Sequence, residues 1–391
     1  MTPLELETIR TEARTALGDI RPASDFGITD NDIPVNTSHT SAGRDLPPYY
    51  IVYFLMIGLL KFHDSGRWEK VAWSIPIIFD NELFLIEYRK FGLGLFAMKS
   101  GTSEENAIKI VSRIRTAAKR ASKYFDWLAS NGSTGSNITV VNKASDLYGR
   151  YQFHLSAYKS MLDTSNAIKD TSYLTAEHKG INLDAHVTRV NALLRSRTES
   201  RWCSLSAIDC FFSWTEHIFI HIAILKGTVT TGVQVAELAE ADWNVKFKTA
   251  IDLSNMTTKR MFDELVHIRR QIRNYNAHGA FGKDGSTFLF HTNTGAVPVS
   301  LKVESNHYGF MFGVENEIPE TKAIETIEKF VEYLETIEPT AMRYIQNSRL
   351  PTTLSYALDG TYLNAMSSID KMNTLIERLS YEHDRAANMD W

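Results

Sequence analysis

The chain of 391 residues is long enough for two or three compact units, and 43% apolar with 23% charged residues excludes extensive disorder. A net charge of -4 excludes a global attraction to nucleic acid, so any RNA contact must come from local clusters of Arg and Lys. The only cysteines, Cys203 and Cys210, exclude a disulfide framework and, seven apart in a helical stretch, read as small buried apolar groups.

Residues 3 to 18 have the spacing of an amphipathic helix, and a turn-rich stretch to Pro48 reads as a long surface connection. The segment carries neither a basic start nor an apolar run of signal-peptide type, so a cytoplasmic protein is expected. The most apolar run, YYIVYFLMIGLL from Tyr49, falls short of the ~20 residues of a membrane span and predicts a buried helix over 49 to 62. AWSIPIIF, ELFLIEY and LGLFAM, punctuated by Asp80-Asn81 and Lys90-Phe91-Gly92, predict three meandering strands within 70 to 98. Helical spacing returns over 103 to 130, with Ile108, Val111, Ile114, Ala118, Ala121 and Phe125 on one side. More helix is expected at 142 to 169 and 184 to 198.

A second unit is expected to begin near Trp202. An apolar helix over 204 to 227 stops at Gly227, and two helices follow at 235 to 253 and 258 to 278, the latter capped by Thr257 or Thr258 and closed by Gly279. Strand-like runs at 287 to 291, 297 to 303 and 308 to 314 precede a helix at 319 to 346, which completes a four-helix set, and a helical extension at 351 to 386. The chain therefore reads as mainly α: an α+β region over 1 to 200, then a helical domain over 201 to 391 with β insertions at about 287 to 314.

Chemistry concentrates in IRRQIRNYNAHG, residues 268 to 279. A bare Arg-x(4 to 6)-His pattern arises by chance roughly once or twice in a chain like this one, and Arg260 with His267 is such a decoy. Three features favour Arg273 and His278, against the plain alternative of a helix C-terminus decorated with basic residues for dipole reasons, with His278 a cap and Asn274 a surface residue. Asn274 lies four residues before His278 and so shares its helix face. The carbonyl end of the helix at Gly279 favours the imidazolium, which suits a general acid. Arg269, Arg270 and Arg273 form a cationic patch fit for a phosphodiester.

With FFSWTEHIFIHIAIL at 211 to 225 as the apolar first helix, RNYNAH at 273 to 278 resembles the R-x4-H motif of the HEPN superfamily of helical ribonucleases, over about residues 202 to 346. The resemblance implies a four-helix bundle and a homodimer with a composite active site. It implies an endoribonuclease that uses no metal or other cofactor, in which the RNA 2′-hydroxyl attacks its phosphate to leave a cyclic phosphate and a 5′-hydroxyl. Arg273 would contact the scissile phosphate, Asn274 would position its neighbour and His278 would move the proton, with Glu216 and Arg270 in support. Five residues turn Arg273 and His278 about 140° apart on an ideal helix, a gap that the dimer or the reach of Arg must close. A toxin or antiphage effector cutting tRNA or another structured RNA is implied, together with an inhibitor partner or a phage-derived activator. Ala280 stands where toxin members paired with a nucleotidyltransferase often carry Tyr, so inactivation by nucleotide transfer there is not expected. The competing expectation is an inactive module that dimerises and binds RNA or protein.

Three other clusters remain. His217 and His221, four apart beside Glu216, match a two-ligand metal spacing, but the order is EHxxxH and no third ligand is evident, so they read as a half-buried pair. Lys109, Arg113, Lys119, Arg120 and Lys123 flank an apolar stripe, which is either a solvated face or an RNA-backbone track, and Arg189, Arg195, Arg197 and Arg201 form a weaker cluster. No phosphate-binding loop is present at Lys283-Asp284-Gly285, and no membrane partner is expected.

Overall fold

The computed structural model describes residues 1–30, 37–97, 103–176, 183–270, 288–293, 295–304, 307–312 and 318–389. They form a mainly α protein in two compact units, one built from Met1–Gly135 with the C-terminal stretch from Glu377, the other from Ser136–Ile376. The division falls at Gly135/Ser136 and not at residue 200, because one unbroken helix, Leu183–Leu225, runs straight through the expected boundary.

The first unit opens with α1, Pro3–Leu17, started by a capping box in which Thr2 and Glu5 satisfy each other's backbone N–H groups, with Pro3 in the first turn. β1 (Arg21–Pro22), β2 (Ser38–His39), β3 (Val71–Phe79), β4 (Glu82–Arg89) and β5 (Gly92–Ala97) make an antiparallel sheet in the order β1-β3-β4-β5-β2. The expected meander is its centre. Asp80 and Asn81 both take positive φ, 52° and 59°, the backbone a two-residue hairpin between right-twisted strands demands.

The run at 49 to 62 folds as α2, Tyr49–Tyr53, continued by a π-helical turn over Phe54–Leu59 that keeps Leu55, Met56 and Leu59 in the core. α3, Ser103–Arg120, and α4, Ser122–Thr134, replace the single helix expected over 103 to 130, with the break at Ala121. The buried stripe of α3 is Ala107, Ile110, Val111, Ile114 and Ala117, and it carries on to Ala121 at the break. Ile108, placed on the core side from sequence, is 58% exposed, whereas Val111, Ile114 and Ala121 are buried as expected, with Ala107 and Ile110 completing the apolar side.

In the second unit α5, Ala144–Ala176, packs along α6, the Leu183–Leu225 helix. At 43 residues α6 is about 65 Å long, and it absorbs the helices expected separately at 184 to 198 and 204 to 227. It is the one described helix long and apolar enough to cross a membrane, yet 67% of its apolar window is buried within the protein, the position of a core helix.

The expected 235 to 253 helix is two, α7 (Gly232–Glu240) and α8 (Trp243–Ala250), parted at Ala241 and Asp242. α9 spans Met256–Ile268 and α10 Glu320–Ile337. Trp243 stacks on Phe262 with 6.1 Å between centroids, and Phe247 meets Phe219 at 5.1 Å and Phe330 at 5.7 Å, so α6, α8, α9 and α10 share one aromatic core. The one polar handle in that cluster is satisfied: Trp243 Nε1 donates to Thr215 Oγ1 at 2.9 Å.

Between α9 and α10 in sequence lie β7 (Phe288–Thr292), β8 (Gly295–Glu304) and β9 (His307–Phe312), an antiparallel three-stranded sheet at the expected place. After α10 the chain forms α11, Pro339–Met342, with a π-helical turn over Arg343–Ser348. β10, Thr352–Thr353, pairs antiparallel with β6, Thr139–Val140. α12 (Leu354–Leu358), α13 (Thr361–Ala365) and α14 (Ile369–Asn388) supply the expected helical extension.

Candidate active site

α9 delivers the chain to the arginine-rich segment. Its N-cap is Asn255, whose side chain accepts from the Thr257 N–H at 2.8 Å, and not Thr257 or Thr258 as the sequence suggests. Thr258 is buried inside the first turn, where its hydroxyl bonds the Tyr333 hydroxyl of α10 at 2.7 Å. Phe262, Leu265 and Ile268 face the core; Arg260, Glu264 and His267 face outward. Helical backbone continues past Ile268 through Arg269 and Arg270. Arg273, Asn274 and His278 lie outside the described residues, as do Gly279, Ala280 and the Lys283-Asp284-Gly285 turn.

What precedes them is anchored electrostatically. Glu216 on α6 receives Lys246 of α8 on Oε2 at 3.1 Å and Arg269 on Oε1 at 3.4 Å. Lys246 is 5% exposed and interrupts the apolar face formed by Trp243, Phe247 and Ala250, so its ammonium depends on that carboxylate for compensation. One carboxylate thus joins three helical elements, with two cations on a single negative charge. Arg269 is turned in toward Glu216, while Arg270 is exposed.

His217 and His221 occupy the adjoining turn of α6. Their Nε2 atoms are 3.1 Å apart; the backbone N–H of Lys143 donates to His217 Nε2 at 2.9 Å, and His221 Nδ1 lies 2.9 Å from Thr352 Oγ1. Acceptance at His217 Nε2 places its proton on Nδ1, and leaves His221 Nε2–H as the donor between the rings. Burial lowers both from the usual imidazole range, His217 to about 4 and His221 to about 3, so both are neutral at pH 7. The pair ties α6 to the β6–β10 ribbon, and among the described residues no cluster of three His, Cys, Asp or Glu gathers there.

Profiles of known protein families, curated proteins and solved structures give no match to this chain.

The basic residues of α3 and α4 belong to the first unit. Lys109 pairs with Glu105 at 2.8 Å in an exposed i,i+4 pair along α3, and Arg113 reaches both Asp19 and the Leu17 carbonyl at 3.3 Å and so serves packing of that unit. Lys119, Arg120 and Lys123 are exposed. In the weaker cluster Arg195 pairs with Glu199 and Arg201 with Glu320. Cys210 is buried and Cys203 half-buried, in keeping with their reading as apolar groups.

Sequence reasoning misses two features. Lys246 is one, although a lysine between Trp243, Phe247 and Ala250 on an apolar face signals a buried charge in need of a partner. The other is the place of Arg260 and His267, which match the catalytic pattern only by chance but line a cleft of about 430 Å³ between α9 and α10.

Proposed function

We propose that this chain is a ribonuclease of the HEPN type, with Arg273 and His278 as its chemical pair and Asn274 beside them. The observation that carries the reading is the anchorage of Arg269: a helix seated in an aromatic core, α9, leads into the arginine-rich segment, and Glu216 of the apolar helix α6 holds its first arginine. A rigid lead-in of this kind suits a site whose groups must be held within fractions of an ångström. The helices α6, α8, α9 and α10 around one core are compatible with the four-helix bundle of that superfamily.

In the proposed reaction the RNA 2′-oxygen forms a bond to the adjacent phosphorus while the bond from phosphorus to the leaving 5′-oxygen breaks. A general base takes the 2′-hydroxyl proton and an acid supplies one to the 5′-oxygen, with His278 as the imidazole engaged in that transfer. Arg273 and the neighbouring Arg270 neutralise the charge gathering on the phosphoryl oxygens. The products are a 2′,3′-cyclic phosphate and a 5′-hydroxyl, and no metal enters the balance. The site is composite, two protomers each contributing one Arg and one His, and the protein acts in the cytoplasm as a toxin or antiphage effector under control of an inhibitor or a phage-derived activator.

Expression of the wild type beside Arg273→Ala and His278→Ala tests this. Growth arrest and new 5′-hydroxyl RNA ends that persist in EDTA are expected for the wild type and lost in both variants. Purified wild-type protein that cuts no cellular RNA, even with phage present, sinks the proposal in favour of an inactive binding module.

A further inference from the structure

Helical periodicity builds the cleft between α9 and α10. Arg260, Met261, Glu264, His267 and Ile268 recur at steps of one, three and four, and Lys322, Glu325, Thr326 and Lys329 do the same on the facing helix. Two helix faces therefore meet along a trough of about 430 Å³, within the range of small-ligand sites. Met261, Ile268, Ile318 and Pro319 give it apolar walls against which a base can lie. Arg260, Lys322 and Lys329 are all exposed along it, within a chain whose net charge is negative. The Arg260 ion pair with Glu264 spans 3.6 Å with both side chains largely in water, and such a pair holds an arginine only weakly, so Arg260 can turn to a phosphate.

We propose that this trough is a nucleotide-binding subsite for single-stranded RNA, with a base against the apolar wall and the flanking phosphates on Arg260, Lys322 and Lys329. The choice of RNA as occupant rests on the ribonuclease reading; the trough itself does not. His267 and Ile268 are among its lining residues, and in sequence they directly precede Arg269 and Arg270. The carboxylates Glu264 and Glu325 offset two of the three cations, so the subsite contributes moderate affinity, and they offer acceptors to the amino groups of a base.

The test uses the full chain and a fluorescent 12-nucleotide single-stranded RNA with every 2′-hydroxyl methylated, which binds but cannot undergo attack by its own 2′-oxygen. The affinity of the wild type is measured by anisotropy over a salt series. Lys322→Glu combined with Lys329→Glu is expected to weaken binding at least tenfold and to flatten the salt slope by roughly 1.4, the share of two phosphate contacts on a single strand. Thr326→Phe, which fills the trough and leaves its charge alone, is expected to weaken binding at least fivefold. All three positions are outside the aromatic core, and melting curves confirm that the variants fold. Binding by both variants within twofold of the wild type overturns the proposal. So does a wild type that shows no salt-dependent binding, or variants that lose self-association while keeping the probe, which would make the trough a protein interface. The probe is not cut, so failure of the ribonuclease reading appears separately, as intact unmodified RNA in the presence of a protein that still binds the probe through the trough.

Discussion

Arg269, the first residue beyond α9, places Nη2 of its guanidinium 3.4 Å from Oε1 of Glu216 on α6, and the other oxygen of that carboxylate is taken by the buried Lys246. Removing the carboxylate would leave an ammonium in the interior with its compensation gone, a cost of about 3 kcal/mol where one partner of a buried pair is lost. Glu216→Ala should therefore lower the urea midpoint markedly. Glu216→Ala combined with Lys246→Met should recover most of that loss, since the apolar face of α8 then closes over a side chain of similar shape. Equal losses in the single and double variants would show that the ion pair is not what holds α8 to α6.

Phe247 gathers Phe219, Trp243, Phe262 and Phe330 around one ring, with all four centroids within 5.7 Å. Phe247→Ala should cost about 3 to 5 kcal/mol through lost burial and the cavity left among four rigid rings. The expected measurement is a urea curve in which the transition of the second unit has a lower midpoint and an unchanged slope. A loss under about 1 kcal/mol would mean that α8 can be displaced without disturbing the core that supports α9.

Legibility differs between local and long-range features. The meander over β3, β4 and β5 can be read because its signals are local: Asp80-Asn81 tolerates positive φ at both positions, and the flanking runs are strand-prone. The three strands between α9 and α10 are legible for the same reason. The domain boundary is not, because α6 runs unbroken through residues 199 to 203, and the division at Gly135/Ser136 follows from which helices pack together and not from any local break. At the site, the pairing of Glu216 with Arg269 joins residues 53 apart in sequence, and no period or motif announces it. Arg260 and His267 show the opposite difficulty, since a pattern too weak to mark catalysis says nothing of their place on a cleft wall, which depends on a facing helix more than fifty residues away.

Arg113 sits among the basic residues of α3 that could track RNA, yet its guanidinium is engaged at home. It donates to the carbonyl of Leu17 at the end of α1, pairs with Asp19 and lies 5.0 Å from the centre of the Phe79 ring. Arg113→Ala should thus destabilise the first unit by about 1 kcal/mol, the scale of one hydrogen bond to a helix end together with a partly exposed cation–π contact. Lys119→Ala on the exposed face of the same helix should change stability by less than about 0.5 kcal/mol. Thermal melts of the two variants side by side decide it, and equal shifts would return Arg113 to the solvated face.

The paired imidazoles of His217 and His221 set a pH dependence whose sign can be worked out. Both are held neutral in the fold, with pKa values lowered by burial to about 4 and about 3, whereas in the unfolded chain each titrates near the ordinary value of 6.5. Between those limits the unfolded state binds more protons, so stability is complete above pH 6.5 and falls as the pH is lowered toward the folded values. At pH 5, about 1.5 units below the unfolded value, each histidine should have removed about 2 kcal/mol. Urea midpoints taken from pH 8 to pH 5 should decline over this window, and the decline should flatten in the His217→Gln, His221→Gln double variant, whose side chains can still bond Lys143 and Thr352 without titrating. A wild-type curve that is level from pH 7 to pH 5 would show that the pair is wetter than its geometry implies, with water able to reach the imidazoles between α6 and the β6–β10 ribbon.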